Sequence, residues 1–241
     1  MCASNKDHSN DRQPSLAHFA GARVRVVVAH FDDEALFCGA LLAEMRSVMA
    51  QLHVVVVTSV ETTSAPREVT VPSPLEIERR RRRVAAFDAV CSDLDAGSSQ
   101  LHISNLPQTS TRWDPDYQER VRTVRTAVHQ TGLLTDADVV ITHGFTGEYG
   151  HPQHRCVHDA VISLAGTTGP TDAWTFSAPG LAHLTYHHDT RAKSRLLNHY
   201  RCQKVDGTPW LPESDPRMRD WTGGQEWYRV QRVVNGWEPP P

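Results

Sequence analysis

The feature that most restricts the fold of this chain is an alternation of short apolar runs with longer segments of helical periodicity. Residues 22–29 and 52–57 are rich in β-branched side chains, as is typical of strands buried on both faces of a sheet. Between them, residues 34–50 carry apolar side chains at helical spacing. Strands separated by helices form βαβ units. The chain is therefore predicted to be α/β, with a mainly parallel sheet covered by helices on both faces.

The same alternation continues along the rest of the sequence. Further strands are predicted at 100–104, 137–142 and 181–187, and further helices at 75–91, 115–131, from Pro152 onwards, and at 190–203. No internal repeat or domain boundary interrupts the pattern. We therefore expect a flexible N-terminal segment at 1–20, a single Rossmann-like domain at 21–205, and a Trp- and Pro-rich tail at 206–241 that wraps around it.

Composition excludes several classes of protein. A net charge of -3 over 241 residues argues against a nucleic-acid partner. The longest apolar runs are too short to cross a bilayer, and the N-terminus lacks the apolar stretch of a secretory signal. The 5 cysteines form no C-x-x-C pair and are interpreted as reduced thiols. We expect a cytoplasmic protein without membrane or nucleic-acid partners; the sequence leaves homo-oligomerisation open.

Reactive side chains follow two predicted strands directly. His30, Asp32 and Asp33 come after the first strand, and His151 and His154 lie beyond the strand that is predicted to end near 142. In a parallel sheet, both segments reach the carboxyl edge, where ligands usually bind. A helix that begins at a proline places the two later histidines, three residues apart, on one face. Two imidazoles and a carboxylate with one free position suit a catalytic zinc ion, although either pair alone is a weak indicator.

These two segments carry a family resemblance. Ala-His-Phe-Asp-Asp-Glu at 29–34 resembles the Ala-His-Pro-Asp-Asp-Glu signature of the PIG-L/LmbE-like zinc-dependent N-acetylglucosaminyl deacetylases. Gly-Glu-Tyr-Gly-His-Pro-Gln-His-Arg at 147–155 is similar to the second signature, which has Asp where this chain has Gln. Lys193, Tyr200 and Gln203 are similar to the last helix of the family. The resemblance implies a Rossmann-like fold that removes acetyl groups from amino sugars with one zinc ion.

The resemblance also implies roles for individual residues. His30, Asp33 and His154 match the zinc ligands of the family. Asp32 matches the general base, which takes a proton from the attacking water and later protonates the departing amine. His151 matches the donor that stabilises the oxyanion of the tetrahedral intermediate.

Three residues are candidate substrate contacts. Tyr149 would assist the oxyanion donor or contact the substrate, and Arg79 corresponds to a family arginine that approaches the sugar. Phe31 replaces the usual proline and is predicted to form a wall of the substrate pocket. The second departure is Gln153. If the usual aspartate supports a neighbouring imidazolium, a neutral amide would lower the pKa of His151.

Weaker features allow two interpretations each. The run of arginines at 79–83 is more typical of a solvated helix face than of a nucleic-acid site. His187, His188 and Asp189 suit a helix N-cap or pocket rim better than a metal site. The four tryptophans of the tail would either pack against the domain or stack on a sugar or nucleoside ring; they are Trp210, Trp221, Trp227 and Trp237.

The sequence therefore predicts a zinc-dependent N-deacetylase that hydrolyses the acetamide of an N-acetylglucosamine-type group. A soluble small molecule, such as a natural-product biosynthetic intermediate, is the predicted substrate. One alternative is an amidase that cleaves a larger acyl group or a thiol conjugate at the same centre. A second alternative is a non-catalytic protein that binds zinc or a ligand.

Overall fold

Seven strands form a single sheet in the described part of the chain. The computed structural model describes residues 19–58, 74–104, 106, 112–167, 169–170, 172–201, 212–216 and 218–232. The spatial order of the strands is β3-β2-β1-β4-β5-β7-β6, and β1 to β5 pair in parallel. The strands are β1 (Arg23–Val28), β2 (Gln51–Thr58), β3 (Gly97–Ile103), β4 (Val139–Thr142), β5 (Asp172–Phe176), β6 (Leu184–His187) and β7 (Gln225–Arg232).

Helices cover both faces of this sheet, which confirms the predicted fold class. They are α1 (Asp33–Met45), α2 (Pro74–Asp93), α3 (Pro115–Gln130), α4 (Pro152–Ala165) and α5 (Thr190–Tyr200). One apolar core lies beneath α1, α2 and α5, and a second lies beneath α3 and α4. No helix in the described ranges combines the length and hydropathy that crossing a membrane requires.

The position of β1 determines where a ligand can bind. β1 pairs with β2 on one side and with β4 on the other, so the strand order reverses at this point. Val27 of β1 lies opposite Thr142 of β4, and both strands end at the same edge. The connections that leave them diverge toward opposite faces, which opens a crevice at the carboxyl edge of the sheet. Both predicted reactive segments begin at this crevice.

Two strands, β5 and β7, are absent from the sequence-based prediction, and β7 corrects the interpretation of the C-terminal tail. Instead of wrapping around the domain, residues 225–232 form an antiparallel strand between β5 and β6. Trp221 and Trp227 are only 3% and 7% exposed and contact each other edge-on, so both pack in the core. Trp210 and Trp237 lie outside the described residues.

The N-terminal boundary also requires a correction. The sequence pattern places Phe19 in the flexible segment at 1–20, but its side chain is fully buried and its ring lies 5.0 Å from that of Trp174. Residues 1–18 lie outside the described ranges. An isolated apolar residue carries no periodicity, and a sequence pattern therefore does not reveal that it enters the core.

A buried carboxylate joins β7 to α1, the helix that begins at a predicted metal ligand. Glu226 is fully buried and accepts main-chain hydrogen bonds from Ala40 (2.9 Å) and Leu41 (3.0 Å) in α1. The same carboxylate accepts from Lys193 Nζ at 2.9 Å and from the Tyr228 hydroxyl at 2.8 Å. Four donors compensate for the cost of burying the charge. This arrangement gives Lys193 a structural role in holding α5, β7 and α1 together.

Replacing Glu226 by leucine is expected to lower the free energy of unfolding by about 3–5 kcal/mol, because Lys193 would remain buried without its counter-charge. Denaturant unfolding of the purified chain measures this change. The double variant Glu226→Leu/Lys193→Met should recover part of the loss, because it removes the unpaired charge. Replacing Glu119, whose pair with Arg122 is exposed, is the matched control and should leave the midpoint nearly unchanged. Equal midpoints for the Glu226→Leu and Glu119→Leu variants would contradict the prediction.

Candidate active site

The first half of the site is the turn between β1 and α1. His30 lies in this turn, and Asp33 is the first residue of the helix. The Asp33 carboxylate accepts the main-chain N–H of His30 at 2.7 Å, which directs both side chains to the same side of the turn. Between them, Asp32 has a φ of 108°, a left-handed conformation that is rare for residues other than glycine. Such conformations concentrate at functional sites.

The second half is the loop that follows β4. Gly144 is required at its start, since a Cβ there would lie 2.0 Å from the Phe176 carbonyl oxygen. Gly147 has a φ of +68°, and the following Glu148, at 54°, is also left-handed. The two consecutive left-handed residues turn the chain back toward the crevice, where α4 starts at Pro152. His154 therefore projects from the first turn of α4 toward the turn after β1.

The structure brings the three predicted ligands together at the spacing that a zinc ion requires. His30 Nδ1 lies 3.1 Å from His154 Nε2 and 3.3 Å from Asp33 Oδ2, and His154 Nε2 lies 3.5 Å from Asp33 Oδ1. Ligand atoms 2.0–2.2 Å from a tetrahedral zinc ion lie about 3.3–3.6 Å from each other. The two imidazole nitrogens and the Asp33 carboxylate, whose two oxygens face different imidazoles, therefore surround a position that fits one zinc ion.

Two overlapping groups of side chains also bring ligand atoms together. His30, His151 and His154 form one group and Asp33, His143 and His154 the other, with the atoms of each within 4.8 Å. In the first group, His151 Nδ1 already accepts the main-chain N–H of Gln153, at 3.3 Å. In the second, His143 is fully buried and its two ring nitrogens face the Ala29 N–H and Glu148. The predicted triad of His30, Asp33 and His154 takes its members from both groups.

Glu148 supports this centre from behind, although the sequence reasoning gave it no role. Its carboxylate accepts from His154 Nδ1, from His143 Nδ1 at 3.2 Å and from the Gly144 N–H at 2.7 Å. Burial would raise the pKa of Glu148, but the adjacent imidazoles lower it to about 2. An ionised carboxylate on Nδ1 holds His154 in the tautomer that directs Nε2 to a metal. The position of Glu148 within the second signature, at 147–155, is the sequence signal that could have indicated this role.

The charge of Asp33 also suits a metal ligand. Burial would raise the pKa of this carboxyl, yet the imidazoles of His154, His30 and His143 hold it well below its usual range. Asp33 is therefore ionised at neutral pH. Glu34, the next residue, behaves differently: burial raises its pKa to about 8, and it accepts a hydrogen bond from the Tyr200 hydroxyl. Tyr200, one of the residues that match the last helix of the family, thus contacts the residue that follows Asp33.

Asp32 lies beside the triad and has a cationic partner that the sequence reasoning missed. Arg83 Nη2 donates to Asp32 Oδ2 at 3.1 Å. Burial raises the pKa of Asp32, and the Arg83 guanidinium opposes that rise. A carboxylate with a raised pKa is better matched to proton transfer near neutral pH than an ordinary aspartate. The run of five arginines gave no sequence signal that distinguished Arg83 from its neighbours.

The candidate substrate contacts have different locations. Arg79 lies four residues before Arg83 in α2, so it is on the same helix face, one turn nearer the carboxyl edge of the sheet. The Tyr149 ring lies edge-on to His151 and His154, with centroids 5.8 and 5.6 Å away. Phe31, in contrast, is 1% exposed. Its ring packs against the core residue Phe87, which corrects the prediction that it forms a wall of the pocket.

The side chain of Gln153 forms its hydrogen bonds with His30 and the Leu106 carbonyl oxygen rather than with its neighbour His151. Its Oε1 lies 2.5 Å from His30 Nε2, on the opposite side of the crevice. The pKa of His151 is lowered to about 2, but the causes are burial and the nearby imidazoles of His154 and His30. The lowered pKa of His151 is therefore explained by burial and these imidazoles, not by the predicted effect of the Gln153 amide.

An arginine clamp anchors the loop after β4 to the rest of the domain. Arg112 makes two hydrogen bonds to Asp159 in α4, at 2.8 and 3.0 Å, and one to the Phe145 carbonyl oxygen at 2.7 Å. Its guanidinium also stacks 3.7 Å from the centre of the Phe145 ring. Tyr117 completes the pairing of the Asp159 carboxylate at 2.8 Å. The loop that carries the second motif is thus held in place by contacts outside the candidate metal site.

Comparison with known sequences yields a family and a relative. The family model described as PIG-L, GlcNAc-PI de-N-acetylase, matches residues 25–165. A 1D-myo-inositol 2-acetamido-2-deoxy-alpha-D-glucopyranoside deacetylase from Mycolicibacterium vanbaalenii is 27% identical over 176 residues. The match covers 66% of this chain and 58% of the relative, so the chain spans less than two thirds of that protein.

Comparison with solved structures identifies deacetylases of the same fold. The A40926 pseudoaglycone deacetylase Dbv21 is 20% identical, has a TM-score of 0.58, and is matched over 89% of this chain and 99% of its own. A deacetylase from the teicoplanin biosynthesis pathway is 16% identical with a TM-score of 0.62, over 87% and 98% of the two chains. The N,N'-diacetylchitobiose deacetylase of Pyrococcus horikoshii is 12% identical with a TM-score of 0.61, over 88% and 84%.

Proposed function

Because the chain belongs to the PIG-L family of GlcNAc-PI de-N-acetylases, we propose that it is a zinc-dependent hydrolase of acetamide groups. Its proposed substrate is an N-acetylglucosamine-type group in a soluble small molecule. The observation that carries the proposal is the separation of 3.1–3.5 Å between the ligand atoms of His30, Asp33 and His154. When bound there, zinc would act as a Lewis acid on the amide carbonyl and acidify the attacking water.

Asp32 is the proposed general base. It follows the ligand His30 by two residues, its carboxylate is held by Arg83, and burial raises its pKa. Asp32 accepts a proton as the water oxygen bonds to the carbonyl carbon. When the C–N bond breaks, the same proton passes to the amine nitrogen. This transfer regenerates the Asp32 carboxylate. The acetic acid that forms gives its remaining proton to the amine, so the products at neutral pH are acetate and the ammonium form of the amino sugar.

His151 is the proposed oxyanion donor. Its Nδ1 accepts the main-chain N–H of Gln153, so the proton of the neutral ring is on Nε2. The lowered pKa keeps the ring neutral at pH 7, and a neutral N–H is sufficient to donate. The ring stacks on His154 with centroids 4.4 Å apart, which places the donor beside the proposed metal position. Tyr149 and Arg79 are proposed to contact the sugar around this centre.

The similar proteins support an N-acetylated amino sugar as the substrate and a role in natural-product biosynthesis. The names of the relative and of the chitobiose deacetylase both specify the removal of acetyl groups from N-acetylated amino sugars. Two structural neighbours act in antibiotic biosynthesis or on an antibiotic pseudoaglycone. We therefore propose a natural-product intermediate that carries an N-acetylglucosamine-type group as the substrate.

The test is acetate release from a panel of N-acetylglucosamine conjugates by the zinc-loaded chain. The panel contains a glucosaminyl-inositol, diacetylchitobiose and a glycopeptide pseudoaglycone, each also prepared with a longer N-acyl chain. We expect acetate and a free amine from at least one N-acetyl member. Release of only the longer acyl groups would replace the proposal with a general amidase. No release from any member, with zinc bound, would favour a non-catalytic binding protein.

A further inference from the structure

The His30 ring spans the distance between the proposed metal position and a glutamine that is remote in sequence. Its Nδ1 faces Asp33 and His154, and its Nε2 lies 2.5 Å from Gln153 Oε1. The two residues are 123 positions apart, in the turn after β1 and the first turn of α4. The contact therefore crosses the crevice and joins the two halves of the site.

A second contact is consistent with one orientation of the glutamine amide. Gln153 Nε2 donates to the carbonyl oxygen of the buried Leu106 at 3.5 Å. With the NH₂ group directed there, the amide oxygen faces His30, which must then carry its proton on Nε2. The lone pair of Nδ1 is thereby left for a metal. The opposite tautomer would place a proton on the atom that faces the two other ligands.

We propose that Gln153 is a positioning residue for the metal centre, because its amide oxygen fixes the tautomer and ring orientation of His30. The proposal rests on the metal site of the proposed function and extends it to a residue that contacts a proposed ligand but not the metal. Metal-binding histidines usually donate their second N–H to such a partner, which raises their affinity for the metal. His154 has a buried carboxylate, Glu148, in this role, whereas His30 has a neutral amide.

The neutral amide partner of His30 is expected to affect the affinity of the site for zinc. A carboxylate acceptor makes an imidazole a more electron-rich ligand than an amide acceptor does. His30 is also the more exposed imidazole, with 23% of its side chain accessible against 0% for His154. His30 is therefore the ligand whose affinity for zinc depends most on its outer-shell partner. A glutamate at position 153 would keep the acceptor at the same reach and add the charge.

The experiment compares zinc affinity in two variants by competition with a chromophoric chelator. Gln153→Met retains the side-chain length but removes the acceptor, and we expect its zinc dissociation constant to rise about 10–100-fold. Gln153→Glu restores the acceptor and should bind zinc at least as tightly as the native chain. Gln130→Met, at an exposed position at the end of α3, is the matched control and should leave zinc affinity unchanged.

Thermal unfolding of the metal-free proteins separates positioning from folding. Equal midpoints for native, Gln153→Met and Gln153→Glu, together with the difference in zinc affinity, support the proposal. Unchanged zinc affinity in Gln153→Met, or equal weakening in both variants, would overturn it. The readout does not require a substrate. Weakened zinc binding in Gln153→Met without acetate release from any conjugate would therefore retain this inference and reject the proposed function.

Discussion

Replacing His30 by alanine is expected to abolish tight zinc binding, whereas replacing His151 by alanine should leave zinc bound and remove most of the activity. His30 is one of three proposed ligands whose facing atoms lie 3.1–3.5 Å from each other. Its loss should lower zinc affinity by more than the roughly 10–100-fold that follows the loss of a residue supporting a ligand. His151 supplies only an oxyanion donor, whose removal typically costs about 100–1000-fold in rate. Metal analysis after gel filtration and acetate-release kinetics measure the two effects.

The pair of variants is informative because both histidines are half-buried in the same cluster, with ring centroids 4.8 Å apart. His187→Ala, which alters an exposed histidine at the end of β6, is the control and should retain zinc and activity. If His151→Ala also lost its zinc, the overlapping group of His30, His151 and His154 would be the ligand set. That outcome would remove Asp33 from the proposed centre and His151 from oxyanion stabilisation.

Replacing Asp32 by asparagine is expected to lower the rate of deacetylation by about 100–10,000-fold with zinc still bound. Asparagine cannot accept the proton, but it tolerates the left-handed φ of 108° and retains an oxygen for Arg83. The loss should appear in kcat with little change in KM, because a general base acts in the transition state. Steady-state kinetics and metal analysis of the same preparation distinguish the loss of the general base from a loss of zinc.

Asp95 provides a matched control for this substitution. It is also a left-handed aspartate, with a φ of 47°, and it pairs with Arg46 at the surface. Asp95→Asn should leave zinc content and rate unchanged, since an exposed pair contributes little. A rate for Asp32→Asn within a few-fold of the native chain would contradict the role of general base. Loss of zinc in that variant would indicate that Asp32 itself contributes to the metal site.

Much of the architecture follows from local patterns. The runs at 22–29 and 52–57 predict β1 and β2 to within one or two residues, because strands buried on both faces need continuous apolar side chains. β5 and β7 escape prediction for different reasons. β5 reads Asp-Ala-Trp-Thr-Phe, in which polar residues interrupt the apolar ones, and β7 pairs with strands far away in sequence. No local periodicity encodes the choice of a distant partner.

The candidate site divides in the same way. Both signatures are contiguous in the chain, so the residue types and spacing of the predicted triad can be read directly from the sequence. The burial of the Phe31 ring in the core could not be read from the sequence, because a side chain after a strand end can turn either to the core or to the crevice. Which arginine of the run at 79–83 contacts Asp32 likewise depends on how far α2 reaches past the turn after β1.

The sequence by itself determined the α/β class, the order of the two motifs and the identity of the three proposed ligands, since each depends on residues that are neighbours in the chain. Only the tertiary structure decided which side chains support those ligands. Glu148 behind His154 and Gln153 behind His30 are defined by contacts across the reversal of strand order between β1 and β4. Such contacts depend on side-chain reach and on the relative placement of loops, and neither is written in local periodicity.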